Sequence, residues 1–346
     1  MSFKEIPELL PFFWKDNILY ILDQRQLPFK KKYIKCTSYK DVVKCIKDMN
    51  IRGAPAIGLV GAYALVLAIK EADKKNIYDF IKLASQEIVA SRPTAYNLSY
   101  CVNKLKKDIF SFYPSNNKDE IFREILKKAN LLKEENKKNL LKIVEYGVKL
   151  IKKNSTILTH CNTGPLACGN VGTALGIIIN AYYRKKINHV FVDETRPYLQ
   201  GAKLTVLELD TAKVPYTLIT DNMAAFVIKE KKVDCVIVGA DRIARNGDTA
   251  NKIGSYNLAI LCRYHKIPFY VAAPFSSIDI NIPSKEHIKI EFRSSKEVKY
   301  INDKLITLKQ ANVLHPAFDL TPACLITAII TERGIFKYPY DFSKVI

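Results

Sequence analysis

The segment LTHCNTGPLACG, residues 158–169, sets a thiol in a polar, glycine-containing turn. The apolar pair Ile157-Leu158 leads into it and VGTALGIIIN leads out, so Cys161 stands at the expected end of a strand. A cysteine reacts as its thiolate, as a base or a nucleophile. Other strand-like runs end in polar groups as well: Asp193-Glu194-Thr195-Arg196-Pro197 after NHVFVDE, Thr220-Asp221-Asn222 after VPYTLIT, and Gly239-Ala240-Asp241-Arg242 after VDCVIVGA. Two arginines stand just before expected helix starts, Arg52 ahead of Gly53-Ala54-Pro55 and Arg92 ahead of Pro93. A helix N-terminus offers unpaired N–H groups, and a guanidinium adds a planar donor fork, so both places suit an anion. The same spacing also fits an arginine that merely caps a surface helix.

These groups need a scaffold that gathers them. From residue 155, short apolar runs (STILTH, NHVFVDE, VPYTLIT, VDCVIVGA, IPFYVAAP and NVLHPAF) alternate with helical stretches. That alternation predicts an α/β fold, a Rossmann-like doubly wound parallel sheet, with ligands bound beyond the carboxyl ends of its strands. The fifth run ends in Ala273-Pro274 and the sixth near Phe318-Asp319. Cys161 and Asp241 then fall on the same rim. Upstream, ILYILDQRQLPFKKKYIKC predicts a small sheet, and SYKDVVKCIKDMN a helix with Ser38 as its N-cap. Further helices open at Pro55 and Pro93, YPSNNKDE (113–120) is a loop, and two lysine-rich amphipathic helices run to about residue 153. The expected domains are a mainly helical 1–153 with its small β element and a Rossmann-like catalytic 154–346.

The bulk numbers fit that picture. A chain of 346 residues with 48% hydrophobic composition can bury two cores. It has no uninterrupted apolar run of about 18 residues, so no membrane span is expected. The start, MSFKEIPELLPFFWKDN, has acidic residues inside it, and no secretory signal is expected. Eight cysteines are scattered singly with no C-x-x-C pair. Cys168, Cys235, Cys262 and Cys324 read as small buried thiols in a reducing, cytoplasmic setting. The formal charge of +20 comes from lysines at helical spacing without interleaved aromatics, so no nucleic-acid surface is expected. The glycines after the first strand run G-N-V-G-T-A-L-G, not G-x-G-x-x-G, which counts against a nicotinamide site. His160 reads as structural, because neighbours on a strand point to opposite faces.

The stretches RGAPAIG (52–58), SRPTAYNL (91–98), THCNTGPLA (159–167), DETRPYLQGAKLT (193–205), TDNMAA (220–225), VGADRIARNGDTANKIGSYNLAI (238–260), PFYVAAP (268–274) and PAFDLTPACLITAIITERGI (316–335) span nearly the whole chain in order. They resemble the methylthioribose-1-phosphate isomerases of methionine salvage. The wider family also holds ribose-1,5-bisphosphate isomerase and the regulatory subunits of the guanine-exchange factor for translation initiation factor 2. The chain departs from it at His315, where asparagine is usual, and in EFRSSKEV (291–298), a looser form of an E-E-R segment.

The resemblance implies an aldose–ketose isomerase acting on a sugar 1-phosphate, with Cys161 and Asp241 as the catalytic pair. It implies substrate contacts from Arg52, Gly53, Ala54, Arg92, Gln200, Asn251 and Lys252, no metal or organic cofactor, and a homodimer. Asp241 would protonate the ring oxygen, which needs surroundings that raise its pKa. Cys161 would be the base or proton shuttle, or would only shape the site for a hydride shift. Alternatives are an isomerase of ribose 1,5-bisphosphate or a 5-deoxyribose 1-phosphate, and a non-catalytic regulatory subunit.

Overall fold

The structure, a computed structural model, describes residues 9–93, 95–112, 114–115 and 117–345. The readings that fall on residues 1–8, Thr94, Tyr113, Asn116 and Ile346 lie outside the described residues. The chain folds as two compact units. One runs to Leu141 and takes in Gly164–Gly172; the other comprises Lys142–Thr163 and the chain from Thr173 onward.

In the first unit, β1 (Phe12–Lys15), β2 (Ile18–Leu22) and β3 (Tyr33–Cys36) form an antiparallel sheet. Helices α1 (Tyr39–Lys47), α2 (Ala54–Glu71), α3 (Ile77–Ala90), α4 (Tyr96–Phe110) and α5 (Lys118–Leu150) follow, the last of them counted with the other unit from Lys142 onward. Ser38 opens α1 with a capping box: its hydroxyl accepts the Asp41 N–H, and the Asp41 carboxylate accepts the Ser38 N–H. Helix α2 is apolar all round, and such a helix belongs in an interior. Among the described residues it alone is long and apolar enough to cross a membrane, yet 83% of it is buried inside the protein. Gly58 and Gly61 on α2 lie against Asn97 and Leu98 on α4, so the two helices run parallel, with their N-termini at the same end.

Two expectations need correction here. Helix α4 starts at Tyr96, and Pro93 sits in the turn before it. The two lysine-rich helices are one helix of 33 residues, because no glycine or proline interrupts the chain from Lys118 to Tyr146. The short α6 (Pro165–Cys168) also belongs to this unit.

The second unit contains β4 (Ser155–Thr159), α7 (Ala174–Tyr183), β5 (Ile187–Asp193), α8 (Val206–Thr211), β6 (Tyr216–Ile219), α9 (Ala224–Glu230) and β7 (Cys235–Val238). Next come β8 (Arg242–Ala244), β9 (Thr249–Lys252), α10 (Ser255–His265), β10 (Phe269–Ala272), β11 (Ile278–Asp279), α11 (Lys296–Lys299), β12 (Tyr300–Ile301) and β13 (Lys304–Leu305). The unit ends with β14 (Phe318–Thr321), β15 (Ala328–Thr331) and β16 (Gly334–Phe336). The main sheet has the order β16-β15-β10-β7-β4-β5-β6, with only β16 antiparallel. Counted along the chain, its parallel strands lie 3-2-1-4-5-6, the doubly wound order. Leu158, Val236, Val238, Val271 and Ile329 are buried within it, as parallel strands covered on both faces require.

The sixth parallel strand is β15, not NVLHPAF. Phe318–Thr321 instead pairs antiparallel with β9 in a second sheet, β11-β8-β9-β14, which the periodicity does not reveal. The run ITAIIT is short and does not alternate strictly between apolar and polar residues, so period alone does not separate strand from helix there.

Candidate active site

The order of the main sheet reverses between β4 and β7. Connections from β4 run outward through β5 and β6, and those from β7 run the other way through β10 and β15. The two strands are paired neighbours, Leu158 beside Val236 and Thr159 beside Ile237. Beyond β4 the chain reaches Cys161, and beyond β7 it reaches Asp241. This switch point is where an α/β sheet opens a crevice for ligand.

Cys161 has a left-handed backbone (φ 62°), which costs a non-glycine residue about 1–2 kcal/mol. Two threonines hold it there. The Cys161 N–H donates to Thr195 Oγ1 at 2.8 Å, and Thr205 Oγ1 donates to the Cys161 carbonyl at 2.6 Å. Thr195 Oγ1 in turn donates to the Asp193 carbonyl at 3.1 Å. Asp221 clamps the next turn, taking the Thr195 N–H on one oxygen at 2.7 Å and the Arg196 N–H on the other at 2.6 Å. Asn162 donates through Nδ2 to Thr205 Oγ1 at 3.1 Å and to the buried Glu208 carboxylate. Thr195 and Asp221 come from the turns after β5 and β6, Thr205 from the π-helical turn Gly201–Thr205, and Glu208 from α8.

His160 is buried and saturated. Its Nδ1 lies 2.8 Å from Asp193 Oδ2 and its Nε2 lies 2.8 Å from the Ile253 carbonyl. A carbonyl only accepts, so Nε2 carries a hydrogen. Burial alone would push the His160 pKa down, but the hydrogen bond and charge of Asp193 outweigh it and hold it above the ordinary value. His160, Asp193 and Asp221 bring ligand-type atoms within 4.8 Å of one another. Both imidazole nitrogens and both Asp221 oxygens already have hydrogen-bond partners, so an ion would have to break those bonds.

Gln200 follows the Arg196-Pro197 turn and leads into a π-helical turn, Gly201–Thr205, that continues as α8. Its Oε1 is buried with no hydrogen-bond partner among the described residues. Asp241 is partly exposed, and its N–H donates to the Ala250 carbonyl at 3.0 Å, next to Asn251. Asn251 and Lys252 are successive on β9 and reach different partners. Asn251 Nδ2 donates to Ser255 Oγ at the start of α10 (2.7 Å), while Lys252 Nζ donates to the Ala317 carbonyl (3.0 Å) and lies 4.6 Å from the Phe318 ring centre. Opposite Asn251 in register is Asp319, whose Oδ2 accepts the Gly254 and Tyr256 N–H groups at 2.7 and 3.1 Å. Burial pushes the Asp319 carboxyl up, against those two hydrogen bonds.

Arg52, Gly53, Ala54 and Arg92 lie together in the helical unit, where α2 and α4 begin side by side. Arg52 and Arg92 are both buried, and Arg92 Nη1 meets Met49 Sδ at 2.7 Å in the approach to α2. Gly53 has φ 92°, and a side chain there would collide with the backbone of Ala167. Neither Gly53 nor Ala95, the residues that open α2 and α4, gives its helix a side-chain cap, and a helix start is a place that favours an anion.

The remaining cysteines are free thiols. Cys36, Cys45, Cys168, Cys235 and Cys262 are buried, and burial pushes Cys235 up to about 12, out of the reactive range. Cys324 is exposed, contrary to the buried reading, because it falls in a 3-10 turn before β15 and not inside the strand.

No sequence signal marks Thr205 and Glu208, whose partners Cys161 and Asn162 lie 44 and 46 residues away. Asp193 was findable: it is an acid at the end of the strand that adjoins β4 in a doubly wound order. Asp319 is legible too, as the acid at the end of the sixth run, but it lies in β14 of the second sheet and not at the rim of the main one.

A family model, the Initiation factor 2 subunit family, matches residues 50–338. The chain belongs to that family. A methylthioribose-1-phosphate isomerase from Caldicellulosiruptor saccharolyticus is 49% identical over 335 residues, covering 95% of this chain and 96% of the relative. The crystal structure of a 5-methylthioribose 1-phosphate isomerase from Pyrococcus horikoshii OT3 superposes with a TM-score of 0.86 at 38% identity, over 96% of this chain and 93% of that one. Another family structure, described as translation initiation factor eIF-2B, subunit delta, from A. fulgidus, gives 0.83 at 37% identity, over 97% and 99% of the two chains. The family fold therefore extends through both units of this chain.

Proposed function

We propose that this protein is an aldose–ketose isomerase that converts 5-methylthioribose 1-phosphate to 5-methylthioribulose 1-phosphate, a step of methionine salvage. The observation that carries the reading is near-half identity, along almost the whole chain, to an isomerase of that name. The geometry supports it: Cys161 and Asp241 follow neighbouring strands at the switch point.

The substrate's anomeric oxygen carries phosphate, so the ring cannot open to a free aldehyde. Asp241 protonates the ring oxygen as the bond from C1 to that oxygen breaks. Cys161, as thiolate, takes the C2 proton, and the electron pair forms a C1–C2 double bond. Cys161 then returns a proton to C1, while the proton on O2 leaves to restore the acid and C2 becomes the carbonyl. Atoms balance with no external oxidant or cofactor. Arg52 and Arg92, with the N–H groups after Gly53, are proposed as anion donors; Gln200, Asn251 and Lys252 are proposed as sugar and phosphate contacts. A homodimer and a cytoplasmic location accompany this reading, and light scattering on the purified protein tests the dimer.

Ketose formation is measured from methylthioribose 1-phosphate and, separately, from ribose 1,5-bisphosphate. The wild type turns over the methylthio sugar; Cys161→Ala and Asp241→Asn, both folded, lose at least ~10²-fold in kcat, the low end of acid–base contributions. Preference for the bisphosphate moves the protein to a sister reaction. No turnover of either by folded protein refutes the enzyme assignment for these substrates in favour of a regulatory subunit. Running the reaction in deuterium oxide separates steps: incorporation at C1 supports proton transfer, and complete retention of the C2 hydrogen supports a hydride shift.

A further inference from the structure

We propose that His160 is a positioning residue of the isomerase, holding by its two ring nitrogens the chain segments that carry Cys161, Gln200 and the Asn251-Lys252 pair. This rests on the isomerase reading above.

The imidazole is 1% exposed, so its polar atoms depend on partners within the protein. Nδ1 meets Asp193, the last residue of β5, where the chain departs toward Gln200. Nε2 donates to the carbonyl of Ile253, the residue after Lys252. Cys161 is the next residue in sequence. Three segments far apart in the chain are thus joined through one ring.

Two features make the ring a rigid part. Gly254, at φ 106°, packs so closely that a Cβ there would stand 2.8 Å from His160 Cε1 and 3.0 Å from Nε2. The N–H of that same glycine is held by Asp319 at 2.7 Å, so the ring's neighbour is itself anchored to β14. The Nε2 hydrogen is fixed by the carbonyl, which leaves one proton between Nδ1 and Asp193 Oδ2. Whether that proton sits on nitrogen or oxygen, the pair is neutral overall, so it is buried without a net charge. The charged groups that act on the ring are Asp193 from β5, Asp221 from the turn after β6, and Asp319 from β14. All three are acids, which favours the doubly protonated ring.

A histidine that filled space would not need both nitrogens bonded to two different segments next to expected site residues. Preorganised placement is worth much in catalysis, since small displacements of a reacting group cost large factors in rate.

The test separates the two links. The side-chain nitrogen of His160→Asn stands close to the position of Nδ1 and keeps the Asp193 link; that of His160→Gln stands near Nε2 and keeps the Ile253 link. Each variant is assayed for kcat and KM with methylthioribose 1-phosphate. Calorimetric titration with the ketose 1-phosphate product gives the number of competent sites, and thermal melts report folding. The expected result is full binding stoichiometry with kcat down at least tenfold in both variants. KM should rise more in His160→Asn, which releases the Asn251-Lys252 side. His160→Phe, which keeps the ring volume but no polar atoms, should be the worst of the three. The proposal is overturned if both polar variants stay within threefold of wild type, or if kcat falls only in proportion to the competent sites, which marks a merely structural residue. Wild-type protein that does not turn over the methylthio sugar refutes the isomerase reading instead, a distinct outcome.

Discussion

Thr195→Val is the sharpest single perturbation of the thiol's support. The swap preserves shape and keeps a β-branched side chain at a residue already held at φ 64°. What it removes is one hydroxyl with two bonds, the acceptor for the Cys161 N–H at 2.8 Å and the donor to the Asp193 carbonyl at 3.1 Å. Thr195 is wholly buried, so water cannot replace the lost oxygen. A buried N–H left without a partner costs about 1–3 kcal/mol. The Cys161 backbone is itself in a conformation that costs about 1–2 kcal/mol, so this bond is comparable to the strain it opposes. If the cost appears as release of Cys161 from its working geometry, kcat falls by about 5- to 150-fold, since 1.36 kcal/mol is tenfold. Thr195→Ser keeps the hydroxyl and should stay within about threefold of wild type. The assay is initial-rate ketose formation with both variants at matched folded concentration. Equal activity of the valine variant and wild type would refute the reasoning, as would a serine variant as impaired as the valine one.

Gly53→Ala combines a left-handed position with a collision against the backbone of Ala167, so it should cost about 2–5 kcal/mol of stability. Urea unfolding followed by far-UV circular dichroism measures this; a loss under ~1 kcal/mol would contradict the tight approach. Asp23 gives a pH signature. Burial pushes its carboxyl up, but hydrogen bonds from Arg25 and Gln26 and the Arg25 charge outweigh that and lower it from 3.8 to about 2. Its stabilisation is therefore present above pH ~4 and lost as pH falls through about 2. Arg25 is 44% exposed, so screening leaves about 1–2 kcal/mol. Acid unfolding of Asp23→Asn should show a correspondingly flatter stability profile between pH 4 and 2, and an unchanged slope would remove the ion pair from the account.

Legibility followed chemistry at strand ends. STILTH, NHVFVDE, VPYTLIT, VDCVIVGA and IPFYVAAP are all strands of the main sheet, because β-branched runs bounded by polar turns have few other uses. The polar residues at their ends put Cys161 and Asp241 on one rim. The 3-2-1-4-5-6 order that makes their strands neighbours is a long-range pairing, which local period does not encode. The second sheet is only partly local: β8 and β9 form a hairpin around Asn246-Gly247 within DRIARNGDTANK, while its outer strands, Ile278–Asp279 and Phe318–Thr321, come from distant segments that local period does not link to it. His160 shows where the alternation argument stops. Strand geometry ends at Thr159, and Cys161 is left-handed, so opposite-face reasoning does not reach either residue. The partners Asp193 and Ile253 lie 33 and 93 residues away and were beyond any local window.

The interleaved units have a consequence for how the chain is made. The helical unit recruits Gly164–Gly172, whose Ala167 packs against Gly53 and whose Leu166 carbonyl accepts from Gln24 at 2.9 Å. A nascent chain that has emerged only to Leu141 therefore lacks part of the unit it is building. At ~5–20 residues per second, the missing piece clears the ribosome about 2–6 s later, after the whole of β4. The helical unit cannot complete its fold before the first strand of the main sheet has been synthesised. Separate expression of residues up to 141 should give a less cooperative species than the same segment within the intact polypeptide. The thiol-bearing turn comes out of the ribosome just ahead of the piece that closes the earlier unit, so the two units finish folding as coupled events.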